Sequence, residues 1–465
     1  MINRVSKYMP NVRRGAIWFL PGLKVKRWLF LTFTGVVLIG LGAAILFNLH
    51  PIHFSIEFLR AIASKVTSGY SGTLAIVLGI IFFFFGWRKA NRSIFEAVLP
   101  QNREKVLEAL YRKHKLNRGP KIVAIGGGTG LSTILKGLKR VTNNLTAVVT
   151  VGDDGGSSGR LREEMGVLPP GDIRNCIAAL ADEEKLVTEL FQYRFSNGEG
   201  LEGHSFGNLF LTALCSITGD MVTAVKESSK VLAIRGRVLP STLEDMKLVA
   251  EMEDGRIISG ESNIPEATGK IKRLRTDPEK LKALPEVIKA IEEADIIILG
   301  PGSLYTSVIP NLLIPEIATT VSMSTARKIY ICNVMTQPGE TDNYSASDHL
   351  KAIIDHANSA DIVDTIFIND QLTPEMKQHY AKEDSEPVEN DIEVLEKMKV
   401  NIVCKRLIQE NNNGLVRHSP QRIARYIQHW YRTGGLDLDT LERKLDSQND
   451  DNKETKEIVE KVKVS

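Results

Sequence analysis

A run of β-branched residues that breaks into a glycine cluster and restarts as a helix leaves this chain few folds to choose from. Ile122-Val-Ala-Ile-Gly126-Gly127-Gly128-Thr129-Gly130-Leu-Ser reads as a buried strand, a tight turn and a helix starting near Leu131. Glycines in such a turn let the backbone approach a phosphate closely, and the helix N-terminus adds unpaired N–H donors and a positive dipole end. The spacing is not the dinucleotide fingerprint, because the sixth position from Gly126 is Leu131, and no Lys-Ser/Thr pair completes a P-loop. A phosphate cradle without the NAD or ATP signature is the expectation, with Gly126, Gly127, Gly128, Thr129 and Gly130 as its candidate residues.

The same alternation continues downstream. Thr146–Val151, Asp295–Gly300, Lys328–Val334 and Thr365–Asn369 are short apolar runs bounded by turn residues and read as buried parallel strands. Helical stretches at Asp172–Ala181, Pro278–Ala294 and Ala346–Ala357 fall between them. This pattern specifies an α/β fold with a Rossmann-like, doubly wound and mostly parallel sheet over residues 120–435. Val249–Gly260, with Asp254-Gly255 at its centre, reads as a β-hairpin insertion. Residues 436–465 form a charged tail; 13 of the last 25 residues are charged, too many to bury, so it is expected to stay solvated and partly disordered.

In a doubly wound sheet ligands collect at the strand C-termini, so the polar loops that follow the strands are the candidate site. Val151-Gly-Asp153-Asp154-Gly-Gly-Ser-Ser-Gly-Arg160 places two carboxylates where ribose hydroxyls or a divalent cation are held. An Asx-turn explains the same residues without a ligand. If a metal binds, Mg²⁺ is the expected ion and Asp153 the best candidate ligand. In Pro169-Pro-Gly-Asp172-Ile-Arg174-Asn175 the aspartate reads as a helix N-cap, while Arg174 and Asn175 point toward the ligand. His204 and Asn208 open an apolar helix, with a structural role for the histidine as reasonable as a binding one. Gly302 and Ser303, in Gly300-Pro-Gly-Ser-Leu-Tyr-Thr-Ser307, form a second anion loop, and Asn333 begins a polar segment running to Thr341. No nucleophile elbow and no HExxH motif is present.

The N-terminal quarter is different. Residues 1–27 are a basic segment; residues 28–49 and 70–87 are apolar runs read as two transmembrane helices, joined by a short loop over 50–69 and followed by an amphipathic connector over 88–119. Residues 1–119 carry a net charge of +14 and the remainder −11, so the overall +3 hides a strong asymmetry. Lys and Arg flank the hairpin at both ends, seven before it and nine after it, which by the positive-inside rule places both termini and the main domain in the cytoplasm. An acidic main domain also argues against nucleic-acid binding. Four cysteines without CxxC spacing suit a reducing compartment.

Taken in order, the GGGTG, DDGGSSGRLR, PPGDIRN, HSFGNL, GPGSLYTS and NVMTQPGET segments, with Val416-Arg417-His418 near the end, resemble the YvcK/CofD-like family from about Lys121 to Arg432. They are more similar to its gluconeogenesis factor branch than to its 2-phospho-L-lactate transferase branch. The resemblance implies a Rossmann-like fold and a bacterial protein that binds UDP-sugars such as UDP-N-acetylglucosamine. It further implies a role in cell shape and peptidoglycan balance on gluconeogenic carbon sources. Gly127, Gly128, Thr129, Asp153, Asn208, Gly302 and Ser303 match the family motifs. The transferase branch implies the alternative, a Mg²⁺-dependent transfer onto a phosphorylated or nucleotide-activated substrate; a scaffold with a vestigial pocket is a third reading. An unidentified partner in cell-wall synthesis and a homo-oligomer are the remaining partners the reading leaves open. The membrane hairpin is an addition that the resemblance does not explain.

Overall fold

The computed structural model describes residues 26–46, 70–98, 115–182, 184–370, 385–410, 416–434 and Leu438. The chain divides into two units, Met1–Arg112 and Lys113–Ser465. The parts of the expected basic segment, connector and tail at 1–25, 99–114 and 439–465 lie outside the described residues, as does the loop at 47–69.

In the second unit seven strands form one parallel sheet. They are β1 (Ile122–Gly126), β2 (Leu145–Val149), β3 (Arg237–Pro240), β7 (Ile296–Leu299), β8 (Arg327–Ile331), β9 (Thr365–Asn369) and β10 (Asn401–Lys405). The order across the sheet is β10-β9-β8-β7-β1-β2-β3. The chain leaves β1 toward β2 and β3 on one side and later returns to lay β7 on the other, so the switch point lies between β1 and β7. Every residue of β1, β2 and β7 is buried, as expected of strands covered by helices on both faces. Alternate side chains feed two cores. Ile122 and Ala124 pack with the helices Gly128–Leu138, Gly171–Leu180 and Pro420–Thr433, whereas Val123 and Ile125 pack with Tyr305, Ile317 and Leu350.

The expected hairpin is larger than its sequence suggested. β4 (Lys247–Met252), β5 (Ile257–Ser259) and β6 (Ile271–Asp277) form a separate antiparallel sheet in the order β5-β4-β6. A third antiparallel pair joins β11 (Ile408–Glu410) to β12 (Val416–His418).

The first unit holds the helices Lys26–Leu46 and Tyr70–Val98. They overlap the two apolar runs, but the second continues through Val98, into residues expected to be a connector. Among the described residues no single helix is long and apolar enough to cross a membrane, so the structure does not show the expected transmembrane helices. The two helices meet at paired glycines. A Cβ on Gly35 would lie 2.8 Å from the Gly79 carbonyl oxygen, and one on Gly79 2.8 Å from that of Gly35.

Candidate functional site

Three loops converge at the switch point. The glycine turn after β1 starts its helix at Gly128, three residues earlier than the sequence suggests, with Gly127 as the extended N-cap residue. Gly128 has φ +60°, a conformation glycine adopts without strain. The loop after β7 presses directly on this turn: a Cβ on Gly130 would lie 2.0 Å from the Pro301 carbonyl oxygen, and one on Gly302 3.6 Å from that of Gly127. Buried Asn311 ties the two together from below, donating to the Gly126 carbonyl at 3.3 Å and the Ser307 carbonyl at 2.9 Å.

The residue that sequence reasoning misplaced is Asp172. Pro170 occupies the N-cap of the helix Gly171–Leu180, so the Asp172 carboxylate is not a cap. It faces the glycine turn instead, where the Gly128 backbone favours its charged form and a Cβ on Gly127 would stand 2.5 Å from its Oδ2. Burial first, and then the nearby Asp153, push its pKa up to about 6. The cap reading failed because an aspartate beside a helix start satisfies the local rule, while its actual partner comes from another strand.

The two aspartates after β2 divide their work. Asp153 Oδ1 accepts the Gly155 N–H at 3.0 Å, and its other oxygen faces Gly171, where a Cβ would come within 2.8 Å. Asp154 turns away and accepts the N–H groups of Glu261 and Ser262, both at 2.9 Å. It is thereby the clasp that holds the β4-β5-β6 insertion against the site. The insertion in turn delivers Glu261, which no local motif announces. Burial and the charges of Asp153, Asp172, Asp154 and Glu340 raise the Glu261 pKa to about 8.

On the other flank lies a polar network built on the helices Gly156–Met165 and Phe206–Thr218. Asn208 Nδ2 donates to Ser157 Oγ at 3.0 Å, and Ser157 Oγ lies 2.9 Å from His204 Nδ1. Ser205 caps the second helix through the Asn208 N–H and receives Arg174 Nη1 at 2.6 Å; Arg174 also donates to Asn175 Oδ1 at 3.0 Å. Burial and the Arg160 charge hold the His204 pKa below its ordinary value. Asn208 Oδ1 and Arg174 Nε are buried without a hydrogen-bond partner, which leaves polar capacity in this flank unused.

Asn333 acts on the backbone of the neighbouring loop, accepting the Gly302 N–H at 3.1 Å and donating to the Gly302 carbonyl at 2.8 Å. Ser303 Oγ receives Gln337 Nε2 at 2.6 Å, and the Thr129 side chain is exposed at the mouth of the turn. The buried Glu340 accepts from the Tyr305 N–H and the Thr306 hydroxyl, both at 3.1 Å. Among the described residues no group of three His, Cys, Asp or Glu side chains could hold a metal ion. A groove of about 640 Å³ between β6 and the helix Pro315–Met323 lies elsewhere, lined by Arg273, Met323 and His356 rather than by these loops.

His418, on β12, fixes the end of β8 beside Asn333, its Nε2 3.1 Å from the Cys332 carbonyl oxygen. Burial lowers its pKa from 6.5 to about 4. Above pH 6.5 folded and unfolded chains both hold it neutral; below that the unfolded chain gains a proton that the folded one refuses until about pH 4. Stability contributed by His418 is therefore lost as pH falls through this window, by about 3 kcal/mol in all. Urea unfolding at pH 7 and pH 4.5 should show a smaller difference in the His418→Gln variant than in the parent protein.

A parallel sheet in this order, with glycine-rich turns facing one another across its switch point, defines a Rossmann-like α/β core. The family model described as "2-phospho-L-lactate transferase CofD" matches residues 122–408. The chain is 52% identical to the putative gluconeogenesis factor of Nostoc sp. over 432 residues, 92% of this chain and 94% of that relative. It is 52% identical to the gluconeogenesis factor of Bacillus subtilis over 310 residues, 66% of this chain and 97% of that relative. A crystal structure of a Bacillus halodurans protein superposes with a TM-score of 0.65 at 50% identity, covering 67% of this chain and 99% of that one. The chain thus belongs to the CofD family, among its gluconeogenesis factor homologues.

Proposed function

We propose that this protein is a membrane-tethered regulator that binds a UDP-sugar of the UDP-N-acetylglucosamine type and serves cell shape and cell-wall precursor balance. The observation that carries the binding reading is the meeting of the Gly126–Gly130 turn with the Gly302 loop at the switch point. The diphosphate sits at the N-terminus of the helix Gly128–Leu138 and on the Gly302–Ser303 backbone. The ribose lies near Asp153, and Asn208 serves a sugar or phosphate oxygen. Regulation follows if the bound form presents a different surface to a cell-wall partner, which requires the ligand to favour one state over the other.

Tethering is supported by the surface of the first unit. Phe30, Phe33, Leu74, Ile81, Phe84 and Trp87 are all exposed while glycines fill the contact between the helices, an arrangement suited to a lipid surround. The Nostoc alignment is long enough that it must extend into the first 112 residues, so this unit has a counterpart there.

A second reading is a Mg²⁺-dependent transferase acting on the same class of nucleotide-activated substrate; Asp153, Asp172 and Glu261 act on one another electrostatically there, though among the described residues they form no group that could hold the ion. Calorimetric titration with UDP-N-acetylglucosamine, UDP-glucose and UDP, with and without Mg²⁺, separates the two. Saturable binding without consumption supports the regulator, consumption the transferase, and no binding refutes both. Gly128→Arg should abolish the binding, since it places a long side chain in the cradle and a Cβ at φ +60°. Unaltered affinity in that variant would refute placement of the diphosphate at this turn.

A further inference from the structure

A phosphate on the glycine turn and the carboxylate of Asp172 seek the same donors. The Gly128 backbone already favours the Asp172 carboxylate, whose Oδ2 lies 2.5 Å from where a Cβ on Gly127 would be and whose Oδ1 lies 3.8 Å from one on Gly128. We propose that Asp172 sets the charge specificity of the site, so that it admits a diphosphate esterified at both ends and rejects a nucleotide ending in a free terminal phosphate. This rests on the sugar-nucleotide reading and narrows it.

The argument is one of charge. A phosphate monoester has its second pKa near ~6 and carries about −1.5 to −2 at pH 7. Esterified to a sugar, the same phosphate carries a single negative charge. UDP and a UDP-sugar therefore differ by nearly one charge at the phosphate that lies against the turn. The helix N-terminus, equivalent to only about half a positive charge, attracts both. The fixed field around it opposes the extra charge: Asp172 stands against the turn and Asp153 faces Asp172 from the β2 loop. Arg174 is the cation that acts on Asp172, but its guanidinium is engaged by Ser205 and Asn175. Rejection by a repulsive group, with no added contact to the preferred ligand, is a recognised route to specificity. It also gives the carboxylate a purpose, since a regulator reporting a sugar nucleotide must not be saturated by the nucleotide left when the sugar is removed.

The test is titration of the full chain in EDTA at pH 7.5 with UDP-N-acetylglucosamine and with UDP, for the parent protein, Asp172→Asn and Asp172→Ser. Melting curves run in parallel establish that each variant is folded. The parent is expected to prefer the sugar nucleotide. Both neutral variants should bind UDP roughly tenfold more tightly, as expected for removal of one close charge in a site of intermediate dielectric. Their gain for UDP-N-acetylglucosamine should be smaller, so the preference collapses. An unchanged ratio of the two affinities in both variants overturns the proposal, as does a parallel loss of both ligands, which would mean Asp172 holds the ligand rather than screening it. If the parent binds neither compound, the sugar-nucleotide reading itself falls and this inference with it.

Discussion

Glu261→Gln is expected to make the protein more stable at pH 8, and to do so progressively from pH 5 upward. In the folded chain Glu261 stands among Asp153, Asp154, Asp172 and Glu340 and keeps its proton to about pH 8, against an ordinary value of 4.5. The unfolded chain releases that proton at the ordinary value. Between the two, the folded state alone retains it, so stability falls as pH rises through this window. A pKa difference of this size corresponds to roughly 5 kcal/mol at 1.36 kcal/mol per pH unit. Partial solvent contact reduces it, leaving a gain of about 2–4 kcal/mol for the neutral amide at pH 8. At pH 4.5 the glutamate is itself protonated, and the two proteins should unfold at nearly the same denaturant concentration. Equal stability at pH 8 would show that Glu261 does not face the other carboxylates. The expected sign is that of a functional site, where like charges are held together at the expense of stability.

Glu261 also marks the limit of what the primary structure discloses. Its backbone is held by Asp154, 107 positions earlier, through an insertion whose third strand, β6, had no clear alternation to announce it. The central strands were legible because both faces are buried and they read as uninterrupted apolar runs: β1 and β9 begin and end where expected, and β2, β7 and β8 differ only at their ends. β3 and β10 were not legible. They are the two edges of the sheet, and there an exposed Arg237 before Pro240 and a half-buried Asn401–Lys405 carry no such signal. The same division applies to the site. The glycine turns are local, so their residues could be named in advance. Asp172 could be named but not understood, because its partner Gly128 lies on a different strand–helix unit. Asn333 was expected beside a ligand, and the structure shows it bracing the Gly302 backbone in both directions.

Gly130→Ala is the substitution with the largest expected loss. Gly130 lies in the first turn of the helix Gly128–Leu138, and helix propensity predicts that alanine there would add about 1 kcal/mol of stability. The neighbouring loop reverses the sign. An alanine Cβ would lie 2.0 Å from the Pro301 carbonyl oxygen and 2.7 Å from the Gly302 Cα, both backbone atoms that cannot rotate aside. Relief requires the β1 and β7 loops to part, although the Gly300 N–H bonds the Ile125 carbonyl at 2.9 Å and Asn311 spans both elements. Overpacking of this kind costs about 3 kcal/mol, three times the helix gain. The thermal midpoint should therefore fall, and affinity for the UDP-sugar should fall with it, since the two loops proposed to share the diphosphate are the ones driven apart. The split between these readouts is informative. A lower midpoint with unchanged affinity would place the ligand away from the contact between the loops. A raised midpoint would mean that the β1 and β7 loops do not touch as described, and the geometry on which the site is built would have to be abandoned.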